Sequence, residues 1–131
     1  MPRTQPTALL TQPTTLLRAE GAALLALTVI AYAHLGGNWI LFAVLLLAPD
    51  LSALGYLAGT AIGATCYNLA HNTVLPLALG AYAILGGQTA LLPFALIWLA
   101  HIGMDRLLGY GLKYPDSFTH THLVSKPPKS A

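Results

Sequence analysis

The feature that most restricts the fold of this chain is a long stretch almost free of charge. Between Glu20 and Asp105, the 84 residues contain a single charged residue, Asp50. Charged residues make up 8% of the chain and hydrophobic residues 56%, whereas about 25% of the residues in soluble globular proteins are charged. So few charges cannot cover a water-soluble body of this size. We therefore predict an all-α protein embedded in a membrane.

The uncharged stretch has room for four membrane-spanning helices, because each crossing of a hydrocarbon core of about 30 Å needs about 20 apolar residues. Gly36-Gly37 and Gly86-Gly87 mark two of the turns, since paired glycines end a helix readily. Gly55, Gly59 and Gly63 leave two alternatives: a loop between the second and third helices, which chain length favours, or a ridge of small residues where helices approach closely. The predicted helices cover residues 16–35, 38–57, 61–85 and 88–110.

Two parts of the chain repeat each other. Residues 31–37 read AYAHLGG and residues 81–87 read AYAILGG, and Leu-Gly-Tyr follows both Asp50 and Asp105. The repeat predicts an integral membrane four-helix bundle made of two tandem helical hairpins in parallel orientation; chance similarity in Ala-, Leu- and Gly-rich sequence is the alternative. The predicted organisation is a polar N-terminal tail (1–15), a transmembrane domain (16–111, with hairpin repeats 16–57 and 61–110) and a polar C-terminal tail (112–131).

The basic residues predict the orientation of these helices. None lies in the two Gly-Gly turns, and all fall on the side that holds both termini: Arg3, Arg18, Arg106, Lys113, Lys126 and Lys129. Lys and Arg concentrate on the cytoplasmic side of membrane proteins, so both termini are predicted to be cytoplasmic. A net charge of +2 and scattered cations argue against nucleic acid as a partner. The single cysteine, Cys66, excludes an internal disulfide.

Four ionisable residues, one from each predicted helix, lie at a similar depth. Counting from the glycine turns at about 1.5 Å per residue places all four about 20–24 Å away: Glu20, Asp50, His71 and His101. Tyr67, Asn68 and Asp105 follow about one turn nearer the cytoplasm. Imidazole and carboxylate ligands from separate helices suit zinc, iron or manganese. Alternatives are a proton relay, an interhelical polar clamp, or a role for Asp105 in orienting His101. The metal ligands predicted here are Asp50, His71, His101 and Asp105.

Three prolines lie inside the predicted helices. Pro49, Pro76 and Pro93 each lack a backbone N–H and predict kinks. Pro49 directly precedes Asp50, so a freed carbonyl and the carboxylate could face the same cavity.

The segment after the fourth helix contains a His-x-His pair, His120 and His122. If this segment folds back over the polar layer, one of the two histidines adds a ligand. The alternative is a pair of solvated tail residues.

The residues singled out so far form a recognisable pattern: Tyr67-Asn68-x-x-His71, Pro76, the run from His101 to Tyr114, and Thr121-His122-Leu123. This pattern resembles a family of small bacterial integral membrane proteins, the domain of unknown function 4260, over about residues 16–123. The resemblance implies a multi-helix protein of the bacterial cytoplasmic (inner) membrane and carries no activity with it. It indicates as site residues Asp50, His71, His101, Asp105, Arg106 and His122. Together with the polar layer, the candidate cluster is Glu20, Asp50, Tyr67, Asn68, His71, His101, Asp105, Arg106 and His122.

Three functions are compatible with these features. We predict a non-catalytic accessory subunit of a larger membrane complex, packed against other subunits or a second copy of itself, because short loops and Gly/Ala-rich surfaces permit close approach. The first alternative is a metal-dependent membrane hydrolase that uses the His/Asp cluster near the cytoplasmic face on a lipid or lipid-linked substrate. The second alternative is a small transporter, which the repeat symmetry suggests.

Overall fold

The computed structural model describes residues 10–123, and this part of the chain is all-α. Its helical elements follow one another with short connections. Within residues 10–123, one isolated β-bridge joins Lys113 to Thr121. The elements are α1 (Pro13–His34), α2 (Trp39–Leu46), a 3-10 segment (Ala48–Ala58), α3 (Thr60–His71), α4 (Val74–Leu85), a 3-10 turn (Thr89–Leu91) and α5 (Leu92–Leu108).

Three helical segments of the described chain are long and apolar enough to cross a membrane: Pro13–His34, Trp39–Ala58 and Thr89–Leu108. They correspond to the first, second and fourth predicted crossings. Large apolar side chains on these segments are exposed, since Ile30 is 65% exposed, Ile40 78% and Leu57 89%. Large apolar side chains at this exposure are unfavourable in water and favourable against lipid chains.

The third predicted crossing, 61–85, is wrong as a single helix. Asn72 interrupts it with an extended backbone, ψ 157°, and its side chain caps both of the resulting helices. The Asn72 amide donates to the carbonyl of Asn68 at 2.8 Å, and its Oδ1 accepts from the N–H of Val74 at 2.9 Å. An asparagine side chain that binds backbone groups on both sides competes with helix continuation. The result is two helices of 12 residues each, α3 and α4.

Three of the breaks between helical segments lie at glycines with positive φ. Gly36 and Gly87 adopt φ of 69° in the two Gly-Gly turns, and Gly59 adopts φ of 124° between the 3-10 segment and α3. Only glycine takes such conformations without strain. The small-residue alternative for this glycine series is also present, because a Cβ on Gly55 would lie 3.3 Å from the Cα of Gly63. In the series Gly55, Gly59 and Gly63, the middle glycine therefore ends the 3-10 segment, and the outer two allow the 3-10 segment and α3 to approach closely.

The three prolines begin helical segments and do not kink continuous helices. Pro93 lies in the first turn of α5 and Pro76 in the first turn of α4, where the missing N–H has no helical partner to lose. Pro49 lies in the first turn of the 3-10 segment. Because Pro49 offers no N–H for an α-helical bond, α2 ends and the chain continues with 3-10 geometry. The Pro49 carbonyl accepts from the hydroxyl of Ser52 at 2.7 Å.

The central helix is α5, and α1 packs against it through facing glycines. A Cβ on Gly21 would lie 2.8 Å from the carbonyl oxygen of Gly103, and a Cβ on Gly103 would lie 2.7 Å from the backbone nitrogen of Leu25. The two backbones are therefore in direct contact, as in small-residue helix pairs of membrane proteins. On the neighbouring faces of α5, Ile97 and Ile102 are 1% exposed. This burial fixes the position of the polar residues that α5 carries.

Candidate metal centre

Three segments of the chain, α3, α5 and the 3-10 segment, bring two histidines and two aspartates to one point beside α5. His101 and Asp105 lie one turn apart on α5 and are 0% and 8% exposed. His71, 3% exposed, is the last residue of α3. Asp50 comes from the first turn of the 3-10 segment. One ligand atom from each of the four residues lies within 4.8 Å of the other three.

The individual distances in this cluster are close to those between ligands of one metal ion. The two Nε2 atoms of His71 and His101 are 3.0 Å apart. Asp50 Oδ1 lies 3.3 Å from each of these nitrogens, and Asp105 Oδ2 lies 3.5 Å from the first and 3.2 Å from the second. A tetrahedral ion with bonds of about 2.0–2.1 Å separates its ligands by roughly 3.3–3.4 Å.

The hydrogen-bonding partner of His71 directs a lone pair into the cluster. Its Nδ1 lies 2.8 Å from the carbonyl oxygen of Tyr67, and since a carbonyl only accepts, Nδ1 carries the hydrogen. In the neutral ring, Nε2 is then an acceptor. For His101, the carbonyl of Leu46 faces the ring as a hydrogen-bonding group, although Nδ1 meets no acceptor in full hydrogen-bond geometry among residues 10–123. Backbone carbonyls behind metal-bound imidazoles play this orienting part.

The cluster holds more acceptors than protons. Three acceptor atoms, from Asp50, His71 and Asp105, surround Nε2 of His101 within 3.3 Å, and that nitrogen has at most one hydrogen to donate. Two carboxylate charges at this spacing repel each other unless a cation lies between them. A divalent ion of the zinc, iron or manganese type held by His71, His101 and Asp105, with Asp50 beside it, would balance the charges of both carboxylates.

The end of α3 adds to the negative potential of the site. Helix carboxyl ends carry a partial negative charge and favour cations. The carbonyls left without helical partners there are taken up by side chains of α5: Trp98 Nε1 donates to the Ala70 carbonyl at 2.6 Å, and Arg106 Nη2 donates to the His71 carbonyl at 3.3 Å. These two bonds hold the last turn of α3, and with it the His71 ring, against α5.

The site is closed on three sides and open at Asp50. The side chains of His101, His71 and Asp105 are 0%, 4% and 12% exposed, whereas that of Asp50 is 52% exposed. An apolar cavity of about 260 Å³ is lined by residues of the segments that carry the cluster. Its lining includes the neighbours of Asp50 and His71 in sequence and residues one turn before His101: Leu45, Pro49, Ala70, Phe94, Ile97 and Trp98.

Glu20 does not join the other three residues of the predicted layer. It is exposed and lines a separate cavity of about 180 Å³ together with Arg106 and Thr73. The depth predicted for Glu20 says nothing about the direction in which it points. Because Gly21 faces α5, Glu20 is turned by about 100° from that contact. The fourth residue of the cluster is Asp105, which the sequence placed about one turn nearer the cytoplasm.

Tyr67 and Asn68 lie beside the cluster and support it. The Tyr67 ring stacks on the His71 ring at 3.7 Å between centroids, and its hydroxyl donates to Asp105 Oδ2 at 3.4 Å. Asn68 instead binds the backbone of Lys113, donating to its carbonyl at 2.8 Å and accepting from its N–H at 2.6 Å. Asn68 therefore attaches the segment after α5 to α3.

Residues 112–123, expected in a polar tail, pack against the helices in the structure. Lys113 is 7% exposed and Leu123 8% exposed, and the Phe118 ring lies edge-on to Tyr67 at 6.3 Å. His120 pairs with Asp116 at 2.9 Å. His122 contributes no ligand to the four-residue cluster, because its Nδ1 accepts the N–H of Leu112 at 2.8 Å. The remaining residues of the predicted tails, 1–9 and 124–131, lie outside the described part of the chain.

The docking of this segment is expected to weaken in acid. Burial, and after it the positive charge of Arg106, lowers the pKa of His122 below its ordinary value of 6.5. The unfolded state then binds the extra proton more readily, so this contribution is complete above pH 6.5 and is lost as pH falls through the lowered pKa. The protection of the Leu112 amide against hydrogen exchange, relative to the intrinsic exchange rate at each pH, should fall over that range. A His122→Asn variant, whose Oδ1 can accept the same N–H, should show no such fall; an equal fall in both proteins would contradict this assignment.

Three residues with clear structural roles were not predicted from the sequence. Asn72 was hidden within an apolar stretch, although an asparagine shortly before Pro76 is a recognisable helix-start signal. The hydrogen bond from Trp98 to the Ala70 carbonyl of α3 depends on packing that no local pattern reveals. Lys113 was counted only as a cytoplasmic charge, and burial of a lysine has no signal in a single sequence.

Comparison with known proteins adds a family. The sequence model of the domain of unknown function DUF4260 matches residues 14–125, which confirms the resemblance found in the sequence. No curated protein and no solved structure matches the chain significantly.

Proposed function

The chain belongs to the DUF4260 family, whose description assigns no activity, and we propose that it is a metal-dependent hydrolase of the membrane. The observation that carries this proposal is the set of four ligand atoms from Asp50, His71, His101 and Asp105, in which each histidine Nε2 lies 3.0–3.5 Å from the other three atoms. A hydrogen bond between helices joins only two atoms. Four convergent ligand atoms from three segments are better explained by a shared cation.

In this proposal the three buried residues bind the ion and the exposed one faces the reaction. His71, His101 and Asp105 would hold the ion, and two imidazoles with one carboxylate resemble the donor sets of catalytic zinc sites. A divalent ion held there would lower the pKa of water and polarise a carbonyl or phosphoryl oxygen. The Asp50 carboxylate, half exposed at the opening, is placed to accept the proton of an attacking water. Tyr67 holds Asp105 through its hydroxyl and His71 through ring stacking.

The proposed substrate is a lipid or a lipid-linked molecule. The apolar cavity of about 260 Å³ is larger than the roughly 150 Å³ cavities that bind benzene in protein interiors. Pro49 and Ala70, next to Asp50 and His71 in sequence, form part of its wall. An acyl chain in this cavity would bring the polar end of the same molecule to the Asp50 side of the cluster.

Asp50→Asn is the substitution that separates catalysis from metal binding. We expect this variant to retain one metal ion per chain and to lose hydrolysis about 10²–10⁴-fold, the usual contribution of a general base. The assay uses protein in nonionic detergent with fluorogenic long-chain carboxylic esters and phosphodiesters, beside metal analysis of the same preparation. Ser52→Ala, on the same 3-10 segment, is the matched control. Absence of metal-dependent hydrolysis of every probe by the wild-type protein would contradict the hydrolase assignment.

The proposal includes the location inferred from the sequence: the bacterial cytoplasmic membrane, with both termini and the cluster on the cytoplasmic side. We favour the hydrolase over the accessory subunit as the function of this protein. An accessory subunit would use the face of Trp39–Ala58, of which no residue in the apolar window is buried. Lipid chains cover such a face as well as a second protein does, so this exposure does not favour a subunit over the bilayer.

A further inference from the structure

A second cavity lies away from the metal cluster, where α1 begins and α5 ends. Its volume is about 520 Å³, within the range of small-molecule sites. One wall is the first turn of α1, and the opposite wall is the segment that folds back after α5. Two cationic side chains, Arg18 and Lys113, belong to the lining, and Asp and Glu are absent from the described residues that form it.

Lys113 lines this cavity and is buried without a carboxylate at ion-pair distance among residues 10–123. Lys113 is 7% exposed, and its Nζ lies 3.8 Å from the ring centroid of Phe118 and 4.6 Å from that of Tyr67. Within residues 10–123, no carboxylate forms an ion pair with Lys113 or with Arg18. Burial lowers the pKa of Lys113 below its ordinary value. Buried cations in proteins are generally paired, because the cost of removing them from water is otherwise uncompensated.

The rest of the chain has no side-chain carboxylate to offer. The sequence contains four Asp and Glu residues in total. Asp50 and Asp105 belong to the metal cluster, Glu20 lines the separate cavity with Arg106, and Asp116 pairs with His120. The residues outside the described part, 1–9 and 124–131, contain basic side chains and no acidic ones. Asp105 and Asp50 act on Lys113 only from beyond ion-pair distance, so an anionic group in contact with Lys113 and Arg18 would come from another molecule.

We infer that this cavity binds the phosphate group of an anionic membrane lipid. Arg18 is already oriented, since its Nε donates to the carbonyl of Leu107 at 2.9 Å, and its terminal nitrogens remain available. The positive end of the α1 dipole and the hydroxyls of Thr14 and Thr15 in its first turn favour the same ligand chemistry. Leu108 and Leu123 supply apolar wall beside these groups. The cavity lies at the ends of two predicted spans, at the level where lipid headgroups are found.

The test is lipid binding by the full-length protein in nonionic detergent, measured by calorimetry with dihexanoylphosphatidic acid. We expect affinity for this probe at least tenfold higher than for dihexanoylphosphatidylcholine or for inorganic phosphate. Lys113→Met and Arg18→Met should each reduce the affinity at least tenfold. Lys129→Met removes the same charge at a position outside residues 10–123, and as the control for net charge it is expected to change the affinity less than twofold. The backbone of Lys113 binds Asn68, so Lys113→Met leaves those two hydrogen bonds in place.

Three outcomes overturn the inference. They are no binding by a monodisperse wild-type protein, equal affinity for inorganic phosphate and the lipid, and unchanged affinity in both Lys113→Met and Arg18→Met. Metal content measured on the same samples separates this site from the proposed hydrolase centre. Lipid binding without bound metal would contradict the hydrolase and leave the phosphate site standing, whereas bound metal without lipid binding would do the reverse.

Discussion

Purified protein is expected to contain one divalent metal ion per chain, and His71→Ala or His101→Ala is expected to remove it. Each substitution takes away a nitrogen that lies within 3.5 Å of the three other ligand atoms. Loss of a group that only orients a ligand costs about 10–100-fold in metal affinity. Loss of a ligand itself should therefore cost more than 100-fold. Elemental analysis of the protein, purified without added chelator or a metal-affinity tag, measures the stoichiometry.

The chain provides its own controls for this experiment, because it has five histidines and only two in the cluster. His34 is exposed at the end of α1, and His120 pairs with Asp116 away from the cluster. Their alanine variants should retain the full metal content. Because an ion that binds the folded state stabilises it by mass action, chelation should lower the melting temperature of wild type and of these controls, but not that of His71→Ala. Wild-type protein with well under one ion per chain would end the metal proposal.

Three of the four cluster residues could be predicted because depth in a membrane helix follows from residue counting. The predicted helices contain few ionisable residues, so a layer at one depth narrows the choice to a few side chains. Asp50, His71 and His101 were identified in this way. Glu20 was placed with them because counting gives height but not rotation. Rotation depends on which face of α1 meets α5, and that is decided by the direct backbone contact at Gly21.

The remaining differences between sequence and structure have a common physical origin. The Asn72 side chain ends α3 and starts α4, because its hydrogen bonds to the backbone compete with those of a continuous helix. The mean hydropathy of the stretch does not reveal this competition. The C-terminal segment was predicted to be a tail from its polar composition. In the structure, two hydrogen bonds from Asn68 and the burial of Lys113 hold it against the helices. Both features depend on hydrogen bonds between particular side chains and the backbone. The amino-acid composition of a segment does not reveal such individual bonds.

Gly103→Val is expected to separate α1 from α5 and to destabilise the protein by about 3 kcal/mol or more, at or above the upper end of typical overpacking. Even a Cβ at this position would lie 2.7 Å from the backbone nitrogen of Leu25 and 2.8 Å from the carbonyl oxygen of Gly21. Both contacts are backbone atoms, which cannot move aside without displacing α1. Since His101 and Asp105 flank this contact on α5, loss of the packing should also reduce metal content. Thermal denaturation in detergent, with metal analysis of the same preparations, measures both effects.

Gly80→Ala is the matched control, because Gly80 also lies inside a helix but has space around it. A Cβ there would meet the nearest side chain, Ala95, at an ordinary contact distance of 3.7 Å. Alanine in a helix interior is favoured over glycine by about 0.5–1 kcal/mol, so this variant should be as stable as wild type or slightly more stable. Equal stability of Gly103→Val and Gly80→Ala would mean that α1 does not need direct backbone contact with α5. The positions of His101 and Asp105 would then have to be fixed by their contacts with α3 and the 3-10 segment alone.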